Sequence, residues 1–328
     1  MKIAIIGAGI SAITIARNLK NIANVSLFEK SRGVGGRMAV RSSGPYEFDH
    51  GAQFFTAKSE NFNNFLAPLI KKNVIQQWDA RFAEFKNNKI LRRVTWDSEY
   101  PHYVGVPGMN AIPMYLSKEL NIKLNVKVNK IIKNTANCWE LFDDDLNNLG
   151  QYDWVISTAP AIQSAEILPE CFKHRNILLN KKMVGCFSLM LGFTKALPLL
   201  WDAALIGDAN ISWVSINSSK PDRAKSFSML VHSTNAWAED HLSDDSQSVI
   251  SYLTKETSRI IGHDTSQAEH VDLHAWRYAN ISKQAKSDVL IDYDNSLASC
   301  GDWLIHGRIE SAFEAGIKMV KKFKEIIG

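Results

Sequence analysis

The chain has 328 residues, 45% hydrophobic and 22% charged, with 38 Lys and Arg against 34 Asp and Glu and a formal net charge of +4. That composition is expected of an ordinary soluble protein, and the length suggests about two domains with ample residues for a buried core and a cleft. The mild charge, without a long Lys/Arg block, argues against a dedicated nucleic-acid binder and leaves an anionic small molecule welcome.

Lys2–Ile6 is a short apolar run, suited to a strand buried on both faces. Lys2 ahead of apolar residues has the outline of a signal peptide, but Gly7 breaks the run at once and the first strand needs the segment. Gly7-Ala8-Gly9 predicts a tight turn, and Ile10–Lys20 has helical spacing. A second apolar run, Val25–Phe28, ends in Glu29, twenty residues beyond Gly9. Strand, G-x-G-x-x-A, helix, strand and acid together predict a dinucleotide-binding βαβ unit. The glycines let a pyrophosphate reach the helix N-terminus, where free N–H groups and the dipole favour anions. Ala12 holds the third small position, and Glu29 can accept from both ribose hydroxyls and would repel a 2′-phosphate.

Lys30–Met38 contains three glycines and Arg37 directly after the ribose acid, which suggests a second clamp on the pyrophosphate; a surface linker has the same composition. Phe48–Thr56 reads as a strand end and turn that bring Gln53 and Phe54 towards the reactive part of a cofactor. A helix over Asn61–Lys72 and short runs around Trp78, Phe82, Phe85 and Trp96 suggest an excursion into another domain. Val104–Asn110 is a turn cluster leading into a helix near Ile112–Glu119, with Asn110 as N-cap. The alternation in Ile122–Ile132 predicts a strand pair, and Cys138–Phe142 and Trp154–Ser157 are expected to return to a core sheet. Ser157-Thr-Ala-Pro160 places a turn at the carboxyl edge of that sheet, where open α/β folds bind ligands.

Residues 161–280 form a second excursion, with strands expected at Leu189–Phe193, Ile211–Ile216 and Phe227–His232 and a helix at Asp244–Ile261. Trp201, Trp213, Trp237, Trp276, Tyr278, His232 and His274 gather here, as core or as an aromatic substrate wall. Met183–Phe193 is too short to span a bilayer. Cys138, Cys171, Cys186 and Cys300 show no metal-ligand spacing and fit a reducing cytoplasm, so no metal and no membrane partner are expected. Leu297–Asp302 reads as a strand ending in Gly-Asp, and Ile309–Ile327 as an amphipathic helix. An acid at a strand end followed by a helix N-terminus suits the ribityl chain and N1 side of a flavin.

These motifs together resemble the amine-oxidase-type FAD superfamily: G-A-G-I-S-A with Glu29, S-R-G-V-G-G-R-M, D-H-G-A-Q-F-F-T-A, V-P-G-M-N, S-T-A-P and C-G-D-W-x-x-x-G-R-I-E-S-A-F. The D-x-G-A-Q-[FY]-F-T-A form and the short chain are most similar to the bacterial renalases. The resemblance is dense at the cofactor motifs and looser between 161 and 290. It implies an α/β (α+β overall) fold, a Rossmann-like FAD-binding domain interleaved with a β-sheet-rich substrate domain. Residues 1–58, 104–160 and 291–328 would bind FAD, and 59–103 and 161–290 would form the substrate domain.

By motif match, Gly7, Gly9, Ile10, Ser11, Ala12, Glu29, Lys30, Gly36 and Arg37 would touch non-covalent FAD. Gln53, Phe54, Val128, Asp302, Ile309, Glu310, Ser311 and Ala312 would join them. Phe54, Phe55, Thr56, Ala57, Lys58, Tyr103 and His306 would line the substrate, although His306 has no assignable role. The resemblance implies oxidation of 2- and 6-dihydro isomers of NAD(P) by hydride transfer to the flavin, with O2 as the second substrate and hydrogen peroxide as product. That chemistry requires ring stacking at about 3–3.5 Å and no acid–base residue, so no catalytic side chain is expected. An amine oxidase on the same scaffold and a non-catalytic dinucleotide-binding protein are the alternatives.

Overall fold

In a computed structural model describing residues 1–282 and 285–327, Lys2–Ile6 forms a strand inside a six-stranded sheet. The strand order is Leu290–Asp292, Leu297–Ser299, Trp154–Ser157, Lys2–Ile6, Asn24–Glu29 and Asn121–Leu124. Every neighbouring pair is parallel except the first. Ile3–Ile6 and Trp154–Ser157 are buried throughout, as expected for strands covered on both faces. Helix Ile10–Leu19 packs along helix Ile309–Ile327, and Phe323 of the latter meets Trp154 edge-on at 4.8 Å.

Contacts divide the chain into two units. Met1–Arg37, Pro113–Met183 and Ile281–Gly328 form the first, and Met38–Ile112 with Val184–Asn280 the second. Segments 38–58 and 104–112, expected with the FAD-binding part, thus cluster with the second unit. Hairpin Arg41–Ser43/Tyr46–Phe48 explains the former, because Tyr46 and Phe48 pack on Met190 and Leu230 of that unit. Residues 161–183 fall in the first unit, because helix Ala161–Ile167 directly follows the parallel strand Trp154–Ser157.

The alternating stretch 122–132 gives two strands, Asn121–Leu124 and Lys130–Lys133, that do not pair with each other. The second joins Trp139–Phe142 and Asn148–Tyr152 in a separate antiparallel sheet, so Cys138–Phe142 does not return to the core sheet as expected. Its alternating exposure suits a ribbon with one wet face, not a doubly covered strand.

The second unit is built on a seven-stranded sheet in the order His270–Ile281, Met183–Phe193, Phe227–Ser233, Ile211–Ile216, Ala203–Gly207, Arg81–Lys86 and Lys89–Thr95. One face buries Leu189, Leu191, Val214 and Val231 with Val249, Leu253 and Ile260 of helix Ser246–Ile261. That helix begins where Asp245 accepts a hydrogen bond from Ser248 N and ends at Gly262, whose φ of +72° is left-handed. Trp201 and Trp237 belong to this core. Register places Ser188, His232 and Trp213 in a row across three strands on the other face. Among the described residues no helix is long and apolar enough to cross a membrane.

Candidate functional site

Parallel sheets gather ligands at the carboxyl ends of their strands. In the first unit that edge carries Gly7–Gly9, Glu29, Asn125–Val128, Thr158–Pro160 and Cys300–Asp302, one segment from each parallel strand. Gly7 has φ +104°, and a Cβ there would lie 2.7 Å from Thr158 Oγ1. Thr158 is itself held, its Oγ1 and N both donating to Ile6 O at 3.0 and 2.9 Å. Gly7 is therefore required by conformation and by space.

Gly9 caps helix Ile10–Leu19 without a side-chain hydrogen bond, and the first turn holds no acid, so its N–H groups stay available to an anion. Among the described residues, a Cβ on Gly9, Gly33 or Gly36 would meet nothing within 4 Å. Backbone bordering open space at all three positions is what a pyrophosphate cradle needs, and the residues fit the group. Gly35 N donates to Ala8 O at 2.8 Å, tying the second glycine loop to the first turn.

Glu29 is buried at the end of its strand. Its Oε2 accepts from Ala8 N and its Oε1 from Ser31 N, both at 2.9 Å, which fixes the carboxylate and leaves lone pairs on both oxygens for ribose hydroxyls. Val126 N donates to Glu29 O at 3.0 Å, which brings the segment of buried Val128 beside the acid. Lys30 is exposed.

Asp302 starts a single 3₁₀ turn, Asp302–Leu304. Its carbonyl accepts from Ile305, His306 and Gly307 N–H at 3.0, 3.1 and 3.0 Å, and its buried carboxylate accepts from the Arg37 guanidinium. Trp303 Nε1 donates to Ala159 O at 3.1 Å, locking this turn to the Thr158–Pro160 turn. The first turn of helix Ile309–Ile327 supplies Ile309, Glu310, Ser311 and Ala312; Ala312 O accepts from Ser11 Oγ at 2.8 Å, so the two helix N-termini sit together. Gly316 makes that approach possible, since a Cβ there would lie 2.9 Å from Thr14 Cβ and 3.0 Å from Ser11 O. Sequence reasoning missed Gly316; a glycine inside an otherwise regular helix was its signal. His306 is exposed.

In the second unit the residues expected near cofactor and substrate make the following contacts within the chain. Gln53, expected to meet the cofactor, donates from Nε2 to Asp49 O and to Gly51 O, and its Oε1 accepts from Ser215 Oγ at 2.8 Å and Lys220 Nζ at 3.3 Å. Both donors and the acceptor are used inside the unit, so Gln53 positions the turn around it. Phe55 and Tyr103, expected at the substrate, pair backbone to backbone, and buried Phe55 packs on Phe62. Phe54, Thr56 and Ala57 are half-buried, and Lys58 is exposed. Phe54 lies within a group of rings, its centroid 4.9 Å from Trp96, 5.0 Å from His102 and 5.5 Å from Trp213.

The sequence did not reveal the ion cluster under this turn. Asp49 Oδ2 accepts from Lys220 Nζ at 2.9 Å and Arg223 NH2 at 2.8 Å, and its Oδ1 from Met109 N at 2.9 Å, all with side chains essentially inaccessible. Burial works to raise the Asp49 pKa, but the two cations outweigh it and hold it below the usual carboxylate range. Burial pushes Lys220 down to about 8 against the opposing pull of Asp49. Burial likewise depresses His50 and His232, each to about 4. The aspartate opening D-H-G-A-Q was the available signal.

A Rossmann-type parallel sheet with an open pyrophosphate cradle, joined to a second sheet-based unit, defines the class as a dinucleotide-binding oxidoreductase scaffold. The chain matches the NAD(P)-binding Rossmann-like domain over residues 5–69 and the flavin containing amine oxidoreductase family over residues 79–321. It belongs to the flavin containing amine oxidoreductase family, and FAD is its cofactor. It is similar in fold to a protein assigned provisionally as a protoporphyrinogen oxidase from Exiguobacterium sp. 255-15 (TM-score 0.78, 10% identity, 99% of both chains). Cyclohexylamine oxidase from Brevibacterium oxydans IH-35A (0.74, 11%, 99% of both chains) is similar as well. So is putrescine oxidase bound to putrescine (0.71, 10%, 99% of both chains).

Proposed function

We propose that this flavoprotein oxidises isomeric dihydronicotinamide dinucleotides, the 2- and 6-dihydro forms of NAD(P), to the aromatic nicotinamide in a renalase-like reaction. The observation that carries the reading is the charge inside the second unit. One carboxylate, Asp49, is met by two cations, Lys220 and Arg223, so the buried cluster holds an excess positive charge. Such an interior opposes a substrate ammonium and favours a polyanionic dinucleotide. The D-H-G-A-Q-F-F-T-A motif at residues 49–57 supports the same reading.

Bound FAD supplies a hydride acceptor that O2 restores, releasing hydrogen peroxide. The chain itself needs only to bind and orient, because loss of the hydride restores aromaticity. Gly7, Gly9 and Gly36 would admit the pyrophosphate, Glu29 would hold the ribose, and Arg37 and Asp302 would serve the centre of a non-covalently held FAD. Free thiols at all four cysteines accord with work in a reducing cytoplasm.

A second reading, oxidation of an amine, is favoured by the Phe54–Trp96–Trp213 ring group, which would cage an uncharged amine. Anaerobic mixing of the yellow protein with 2- or 6-dihydronicotinamide isomers, and separately with primary amines, decides between them. Rapid bleaching by the isomers is expected; bleaching by amines alone would replace the first reading with the second.

A further inference from the structure

The seven-stranded sheet carries, on two directly opposed residues, buried ring nitrogens without a hydrogen-bond partner among the described residues. Register pairs Trp213 with His232 on adjacent antiparallel strands. Directly opposed residues share one face of the sheet, with Cβ atoms about 4.5–5.5 Å apart. Trp213 Nε1 and His232 Nε2 are both buried and have no hydrogen-bond partner among the described residues. Indole nitrogen can only donate. The backbone of His50 lies beside His232 and favours a proton on its ring, and the neutral imidazole offers a lone pair at Nε2 when that proton is on the other nitrogen. Burial keeps the imidazole uncharged at neutral pH.

Protein interiors seldom leave one buried polar atom unpaired, and two neighbours of opposite sense mark a place where a ligand completes the bonding. Trp213 itself lies among aromatic rings: Phe54, Phe82 and Trp96 have ring centroids 5.5, 6.4 and 6.4 Å from its own. A planar ring bearing a group with one acceptor and one donor fits this chemistry. An amine offers no acceptor to Trp213 once protonated.

We propose that Trp213 and His232 read the carboxamide of the nicotinamide ring, the Trp213 N–H donating to the amide oxygen and His232 Nε2 accepting from the amide NH2. The inference rests on the dihydronicotinamide reading above and makes the pair specificity-determining, with no part in hydride transfer.

The test compares 6-dihydro isomers carrying a 3-carboxamide with counterparts carrying a 3-acetyl group, which keeps the oxygen and lacks the NH2. Wild-type protein is expected to favour the carboxamide in kcat/KM by about tenfold or more. His232→Leu should erase that preference. Trp213→Phe should lower kcat/KM for both compounds by a similar factor and leave their ratio unchanged. Flavin content and thermal midpoint establish that each variant is folded, and the wild-type ratio needs no variant. Equal kcat/KM for the two compounds in wild type, or a full preference retained in folded His232→Leu, overturns the inference while leaving the oxidase reading intact. Absence of bleaching by every isomer overturns that reading, and this inference with it.

Discussion

Arg37 and Asp302, separated by 265 positions in sequence, form one ion pair at the carboxyl edge of the parallel sheet. The aspartate side chain is 7% exposed and the arginine 32%, so the guanidinium covers a carboxylate that would otherwise be buried alone. Each group fixes the other, and the glycine loop carrying Arg37 is thereby anchored to the turn before the last helix.

Arg37→Ala should weaken FAD retention by roughly 10- to 100-fold, the scale of a lost charge-assisted hydrogen bond. Arg37→Lys should recover only part, because an ammonium lacks the planar fork. Titration of apoprotein with FAD, followed by flavin fluorescence, measures both; unchanged affinity in Arg37→Ala would refute the clamp.

The two glycines of the first turn should fail differently. Gly7→Ala forces a side chain at φ +104° onto Thr158 and should cost about 1–3 kcal/mol of stability. Gly9→Ala meets nothing within 4 Å and sits at φ −77°, so its thermal midpoint should stay near wild type while FAD affinity falls. A Gly9→Ala protein with normal FAD affinity would show that the cradle does not approach the phosphates there.

The buried cluster predicts an asymmetry between its members. Asp49→Asn leaves Lys220 and Arg223 facing each other without an anion and should destabilise by about 3–5 kcal/mol. Lys220→Met leaves the Arg223–Asp49 pair intact and should cost clearly less. Urea unfolding of the two variants checks the order.

His50 and His232, held down at about 4, bind fewer protons in the folded chain than in the unfolded chain between pH 4 and 6.5. Their contribution to stability is complete above the unfolded value and is lost as pH falls towards 4. The thermal midpoint should drop across that window, and His50→Phe should make the slope shallower. Lys220, lowered to about 8, has the same sign: its contribution rises with pH between 8 and 10.5.

Much of the first unit was legible because its information is local. A short apolar run, small residues at fixed offsets and a 3.6-residue period specify strand, turn and helix through neighbouring backbone. Helix Ile309–Ile327 accordingly has the bounds its periodicity predicts. The strands at Ile211–Ile216 and Phe227–Ser233 follow the same rule.

What the sequence by itself determined is therefore the dinucleotide fingerprint from Gly7 to Glu29 and the acid that ends the last parallel strand segment. Tertiary structure alone decided which polar side chains are held by distant partners within the chain. Gln53 has the chemistry to meet a cofactor, yet Ser215 and Lys220, more than 150 residues away, return to consume its hydrogen bonds. The alternation of 122–132 likewise cannot say that its two strands enter different sheets. Periodicity records which face of an element is apolar; the partner that covers it is chosen by packing of distant segments, where the cost of an unsatisfied buried group selects among arrangements that look alike locally.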